Sequence, residues 1–131
     1  MKIIYSTKTG IAIIHPTGEL SIEEVAAKDV PAGVSFRIVD ESEIPTDRTF
    51  RNAWKDEGGI KVDMGKAKDL TKDRLRNERK PLLEAQDVAF QRALETGAST
   101  AAIVSEKQRL RDITKQVDGI TSPDELKALG L

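Results

Sequence analysis

The spacing of apolar residues along this chain changes character near Asp63. Upstream of it, apolar side chains come in short β-branched runs. Residues 3–5 and 11–14 flank Ser6-Thr7-Lys8-Thr9-Gly10, which supplies turn chemistry, so the pattern predicts a β-hairpin. Val34-Ser35-Phe36-Arg37-Ile38-Val39 alternates apolar and polar side chains and predicts a third strand buried on one face. Between them, Ser21-Ile22-Glu23-Glu24 carries the residues of a capping box, in which hydroxyl and carboxylate each accept from the other's exposed backbone amide. A short helix to about Ala27 is expected there, with Pro31-Ala32-Gly33 breaking the chain before the third strand. Residues 40–47, acidic and containing Pro45, predict an exposed loop. Residues 48–54 and 60–62, separated by Glu57-Gly58-Gly59, predict a last tight hairpin.

Downstream of Asp63 the period becomes helical. Asp63 has the chemistry of an N-cap, and the Lys-, Leu-, Ala-, Arg- and Glu-rich stretch after it predicts a helix to about Thr96. Pro81 lies inside that stretch, removing a backbone donor and crowding the preceding turn. A kink, or two helices abutting near Arg79-Lys80, is the expectation. Leu82, Leu83, Val88, Ala89, Phe90, Ala93 and Leu94 form an apolar stripe, and Gly97 can take the left-handed conformation that ends a helix. Residues 101–117 restart it, with Ile103, Leu110, Ile113 and Val117 at spacings of seven, three and four, a seam suited to an antiparallel or intermolecular helix. Ser122-Pro123-Asp124-Glu125 opens a final short helix containing Leu126 and Leu129. The predicted class is therefore α+β: a small N-terminal antiparallel sheet with one short helix over residues 1–62, then a long C-terminal helical hairpin over residues 63–131.

Composition narrows the possibilities. At 131 residues the chain has the size of one ordinary domain, and its 4% aromatic content leaves the core to Ile, Leu, Val and Ala around the single Trp54. Residues 1–65 hold 8 basic and 11 acidic groups and residues 66–131 hold 13 and 11, so neither half offers the sustained cationic surface that nucleic-acid binding needs. Nucleic acid is not an expected partner. With no cysteine there is no disulfide framework, thiolate metal site or thiol nucleophile. The start, MKIIYSTKTG, has too short an apolar run for a signal peptide, and no run is long enough to span a bilayer. A protein made in a reducing cytoplasm, or carried in a particle assembled there, is the expectation; no membrane partner is expected.

Candidate chemistry is sparse. His15, the single histidine, has no base or ligand partner nearby in the sequence, and His15-Pro16 reads as the surface end of a strand. Asp40, Glu41, Glu43 and Asp47 read as solvated loop charge rather than an acid/base pair. No phosphate-binding glycine motif or nucleophile elbow is present. No catalytic residue, metal ligand or cofactor is expected. Two clusters could bind. Residues 66–80 hold seven basic groups against three acidic, and on a helix Lys72, Arg76 and Lys80 share a face that could take an anion or an acidic partner, a solvated face being the blander alternative. Arg48, Arg51 and Trp54 could form a guanidinium and aromatic pocket; the alternative is that Trp54 fills a seam between sheet and helix. A homo-oligomer interface is expected from Leu83, Phe90, Leu94, Ile103, Leu110, Ile113 and Val117.

The pattern Leu75-Arg76, Glu78-Arg79, Leu82-Leu83, Asp87, then Lys107-Gln108 and Leu110-Arg111-Asp112-Ile113-Thr114, resembles the C-terminal helical hairpin of tail-fibre assembly proteins and tail-assembly chaperones of tailed bacteriophages. Asp87-Val88 stands where those proteins commonly carry Asp-Trp after the paired leucines. The run Asp47-Arg48-Thr49-Phe50-Arg51-Asn52-Ala53-Trp54, with Val62-Asp63-Met64 and Ala67, is similar to small proteins encoded by phages and prophages. The resemblance implies a non-enzymatic tail-associated protein, either a small virion component or a tail-fibre assembly factor. Its implied partners are itself and a tail or tail-fibre protein, and its implied place is the host cytoplasm during infection or the virion tail. The alternative is a phage counter-defence protein that sequesters a host protein or a nucleotide signal.

Overall fold

A computed structural model describes all residues, Met1–Leu131, and the chain is α+β. It divides into two compact units, Met1–Ala67 and Lys68–Leu131, with the division falling in the first turn of a long helix.

In the first unit, β1 (Lys2–Thr7), β2 (Gly10–Ile14) and β3 (Phe36–Val39) form an antiparallel sheet in the order β2-β1-β3. The expected hairpin closes through Lys8-Thr9, with Thr7 paired to Gly10. Ile3 and Ile4 are consecutive and both fully buried, so central strand β1 is covered on both faces. Ile4, Ile11 and Val39 pack on one face against Trp54, with Ile13, Ile44, Ile60 and Val62 around them. Ile3 on the other face packs with Val25 and Ala26 of helix α1 (Ile22–Asp29). Both halves of the Ser21/Glu24 capping box form. A two-stranded sheet, β4 (Trp54–Asp56) with β5 (Ile60–Val62), completes the unit.

The apolar phase of the third strand does not face the core: Phe36 and Ile38 are 44% and 37% exposed while Val39, in the opposite phase, is buried. The reason is register. Pairing Lys2 with Val39 and Ile4 with Arg37 puts Val39 and Arg37 on the side of Ile4 and Trp54, where Arg37 reaches Asp56 of β4 through two hydrogen bonds of 2.8 and 2.7 Å. Nor do residues 48–54 form a strand throughout. Arg51–Ala53 is a 3-10 turn, and β4 begins at Trp54. Residues 40–47 are more ordered than a solvated loop: the Asp40 carboxylate caps a 3-10 turn, Glu41–Glu43, by accepting from the Ser42 amide at 2.9 Å.

Helix α2 (Met64–Thr96) starts where the Asp63 side chain accepts from the Lys66 amide at 3.3 Å and runs unbroken through Pro81. Two abutting helices are not formed. The carbonyl that Pro81 leaves without a donor belongs to Asn77, which is exposed and open to water. Gly97, at φ 72, ends α2 in a Schellman motif: its amide donates to the Leu94 carbonyl at 3.3 Å and the Ala98 amide to the Ala93 carbonyl at 2.8 Å. Helix α3 (Ala101–Asp118) returns antiparallel, and α4 (Pro123–Ala128) follows, with the Ser122 hydroxyl accepting from the Glu125 amide. Leu75, Leu110, Ile113, Val117 and Leu126 are buried. No helix is long and apolar enough to cross a membrane.

Candidate functional site

The basic segment of α2 faces α3 and α4, and its charges are largely used there. Lys68 Nζ donates to the Asp118 carbonyl at the end of α3, and Lys72 Nζ meets the Asp118 carboxylate at 2.7 Å. The lysine hydrogen bond holds the Asp118 carboxyl below its ordinary pKa. Arg74 Nη2 donates to the Leu126 and Leu129 carbonyls at 3.3 and 2.6 Å, satisfying the end of α4, and Arg79 Nη1 donates to the Leu110 and Arg111 carbonyls of α3. Of the face expected from spacing, Lys72 is thus committed to α3 and Arg76 pairs within α2 with Asp73 at 3.0 Å, while Lys80 is exposed. The three do not converge on an anion site. What lies beside Arg76 and Lys80 is an open groove of ≈ 400 Å³ that also includes Leu83, Glu84 and Asp87.

That groove continues into an apolar face. Arg76, Lys80, Leu83, Asp87, Phe90 and Leu94 follow one another at alternating steps of four and three, the spacing of a helix–helix seam. Asp87 pairs with Lys107 of α3, whose Nζ lies 5.5 Å from the centre of the Phe90 ring. One turn further along each helix, Leu94 and Val104 are 61% and 52% exposed, whereas Leu83, Phe90 and Ile103 are half-buried. Leu110, Ile113 and Val117, expected at an intermolecular interface, are instead at most 3% exposed within a single copy. The antiparallel partner that their spacing calls for is supplied inside the chain, and the large apolar side chains the hairpin leaves exposed are Leu82, Val88 and Leu94 of α2 and Val104 of α3.

Trp54 is 2% exposed and belongs to the core of the first unit. Its ring has no free face for a planar ligand, so the Arg48–Arg51–Trp54 pocket does not form. Arg48 and Arg51 are exposed, and Arg51 with Asn52 lines a hollow of ≈ 260 Å³ beside Thr7, Thr9 and Gly10 of the first hairpin. Sequence spacing gave no sign of that grouping, since its parts lie more than forty residues apart. His15 is exposed just beyond β2 and borders a shallow hollow of ≈ 280 Å³ with Glu19, Lys28 and Asp29. No three His, Asp or Glu side chains gather in a way that could hold a metal ion.

Comparison of the chain with protein-family models, curated proteins and solved structures gives no match.

Proposed function

We propose that the protein is a non-enzymatic, tail-associated bacteriophage protein that acts by protein–protein binding, either as a small component of the virion tail or as a tail-fibre assembly factor in the host cytoplasm. The observation that supports the binding part is the set of large apolar side chains exposed on the α2–α3 hairpin, Leu82, Val88, Leu94 and Val104, at 44, 49, 61 and 52%. Scattered apolar side chains are ordinary on a protein surface, but four large ones on one helical hairpin give a partner an apolar surface to cover. Self-association and fibre binding would both use it. The phage part rests on the resemblance carried by the helical hairpin and by residues 47–54.

The test is a tagged copy of the chain expressed during infection by the source phage. Quantitative mass spectrometry should find it in stoichiometric amount in purified particles if it is a virion component. If it is an assembly factor, it should be bound to the fibre protein in the lysate and missing from particles. Absence from both would contradict the proposal. A second reading, a counter-defence protein that sequesters a nucleotide signal, is favoured by one specific feature, the hollow beside Arg51.

A further inference from the structure

We infer that the hollow between the β1–β2 turn and the 3-10 turn Arg51–Ala53 is a subsite for a phosphate group, presented by inorganic phosphate or by a nucleotide. Four hollows can be compared. The one at His15 includes Glu19 and Asp29, the one at Arg37 includes Asp56, and the groove on α2 includes Glu84 and Asp87. The hollow at Arg51 contains a guanidinium, two hydroxyls and an amide, and no carboxylate. Its lining side chains offer an anion hydrogen-bond donors with no carboxylate among them.

The guanidinium there has no partner in this chain. Arg37, Arg74, Arg76, Arg79 and Arg109 each hold a carboxylate or carbonyl of this chain, whereas the Arg51 side chain, like those of Arg92 and Arg111, holds none. Thr7 Oγ1 accepts from the Thr9 amide at 3.3 Å and lies 3.4 Å from Thr9 Oγ1. One hydroxyl can donate to the other, so at least one of the two hydroxyl hydrogens remains to point outward. Gly10 sets the arrangement. At φ 148 it takes a conformation that suits glycine, and an added Cβ would be in van der Waals contact with the Arg51, Asn52 and Trp54 carbonyl oxygens, at 3.5, 3.7 and 3.7 Å. The backbone bearing Arg51 and Asn52 is thereby seated against the start of β2, next to the threonine pair. A planar guanidinium fork with hydroxyl and amide donors beside it suits a tetrahedral oxyanion, which can accept from several directions at once.

The inference deepens the nucleotide-sequestering reading and is independent of the helical face. Amide NMR of the full chain, titrated with sodium phosphate and separately with AMP at constant ionic strength, tests it. Shifts that saturate and centre on Thr9, Gly10, Ile11 and Asn52 are expected. They should weaken roughly tenfold or more in Arg51→Gln, the loss of one charge-assisted hydrogen-bonding group, at unchanged melting temperature. Arg92→Gln removes the same charge from the exposed surface of α2 and should leave binding as in the wild type. Tighter binding of AMP than of phosphate assigns the site to a nucleotide; equal binding assigns it to phosphate and removes the sequestering reading while the subsite stands. Shifts that do not saturate, or that survive Arg51→Gln, would overturn the inference.

Discussion

The two units are nearly equal in length and are held together by different means. The first relies on apolar side chains brought from distant strands: Ile4, Ile11, Val39 and Trp54 span most of the unit and meet in one cluster. A long-range ion pair, Arg37 with Asp56, joins β3 to β4. The second has apolar anchors too, in Leu75, Leu110, Ile113 and Leu126, but adds a row of cations along α2 that reach carbonyls and carboxylates of α3 and α4. A basic stretch of sequence is therefore not by itself evidence of an anionic partner. In this protein the basic stretch of α2 is scaffolding: Lys68, Lys72, Arg74 and Arg79 all hold groups of α3 or α4.

The sharpest way to break that contrast is to remove the anchor of the β unit. Trp54→Ala should cost ~3–5 kcal/mol, measured by urea denaturation, and should disorder the first unit. Next, Leu110→Ala should cost the helical unit ~2–4 kcal/mol, because a leucine buried among helices leaves a cavity. Arg79→Gln should cost about 1 kcal/mol and raise hydrogen exchange in the middle of α3, since the Leu110 and Arg111 carbonyls lose their second donor. Arg76→Gln, which breaks only an exposed pair on one helix, should change stability by roughly 0–0.5 kcal/mol.

A further effect is expected at Arg37, and it depends on pH. The hydrogen bond from Arg37 lowers the folded-state pKa of Asp56 below its ordinary value. A lowered folded pKa contributes stability that is complete above the unfolded carboxylate range, near pH 4, and is lost as pH falls through the folded value. The stability difference between wild type and Arg37→Gln should therefore be present at neutral pH and shrink on acidification. His15→Ala should have the least effect, leaving stability and binding nearly unchanged, because the imidazole is exposed and makes no hydrogen bond.

Much of the architecture was legible in the sequence because it is set locally. The Ser21 capping box, the Ser122 cap, the turn before Gly10 and the helix stop at Gly97 each depend on a few adjacent residues. What was not legible depends on partners far along the chain. The alternation over residues 34–39 points Phe36 and Ile38 inward, but the pairing of β3 with β1 and the pull of Asp56 on Arg37 select the other phase. Lys72 looks like part of a free basic face until Asp118, 46 positions later, is brought beside it. The candidate sites diverged for the same reason. Leu110, Ile113 and Val117 have seam spacing, and nothing in the spacing distinguishes an internal helix from an external one.

The proposal to test is that a partner binds the apolar side chains exposed on the α2–α3 hairpin and not the basic residues of α2. Sedimentation equilibrium of the full chain tests it most directly, over a wide concentration range at low salt and again at about 0.5 M NaCl, where exposed charges are screened within a few ångströms. The account predicts a mass that rises above that of the monomer with concentration, persists at high salt, and falls back to the monomer in Leu94→Ser, a change at a 61% exposed position that should leave the fold intact. A monomer at every concentration, or an association abolished by salt and indifferent to Leu94→Ser, would contradict it.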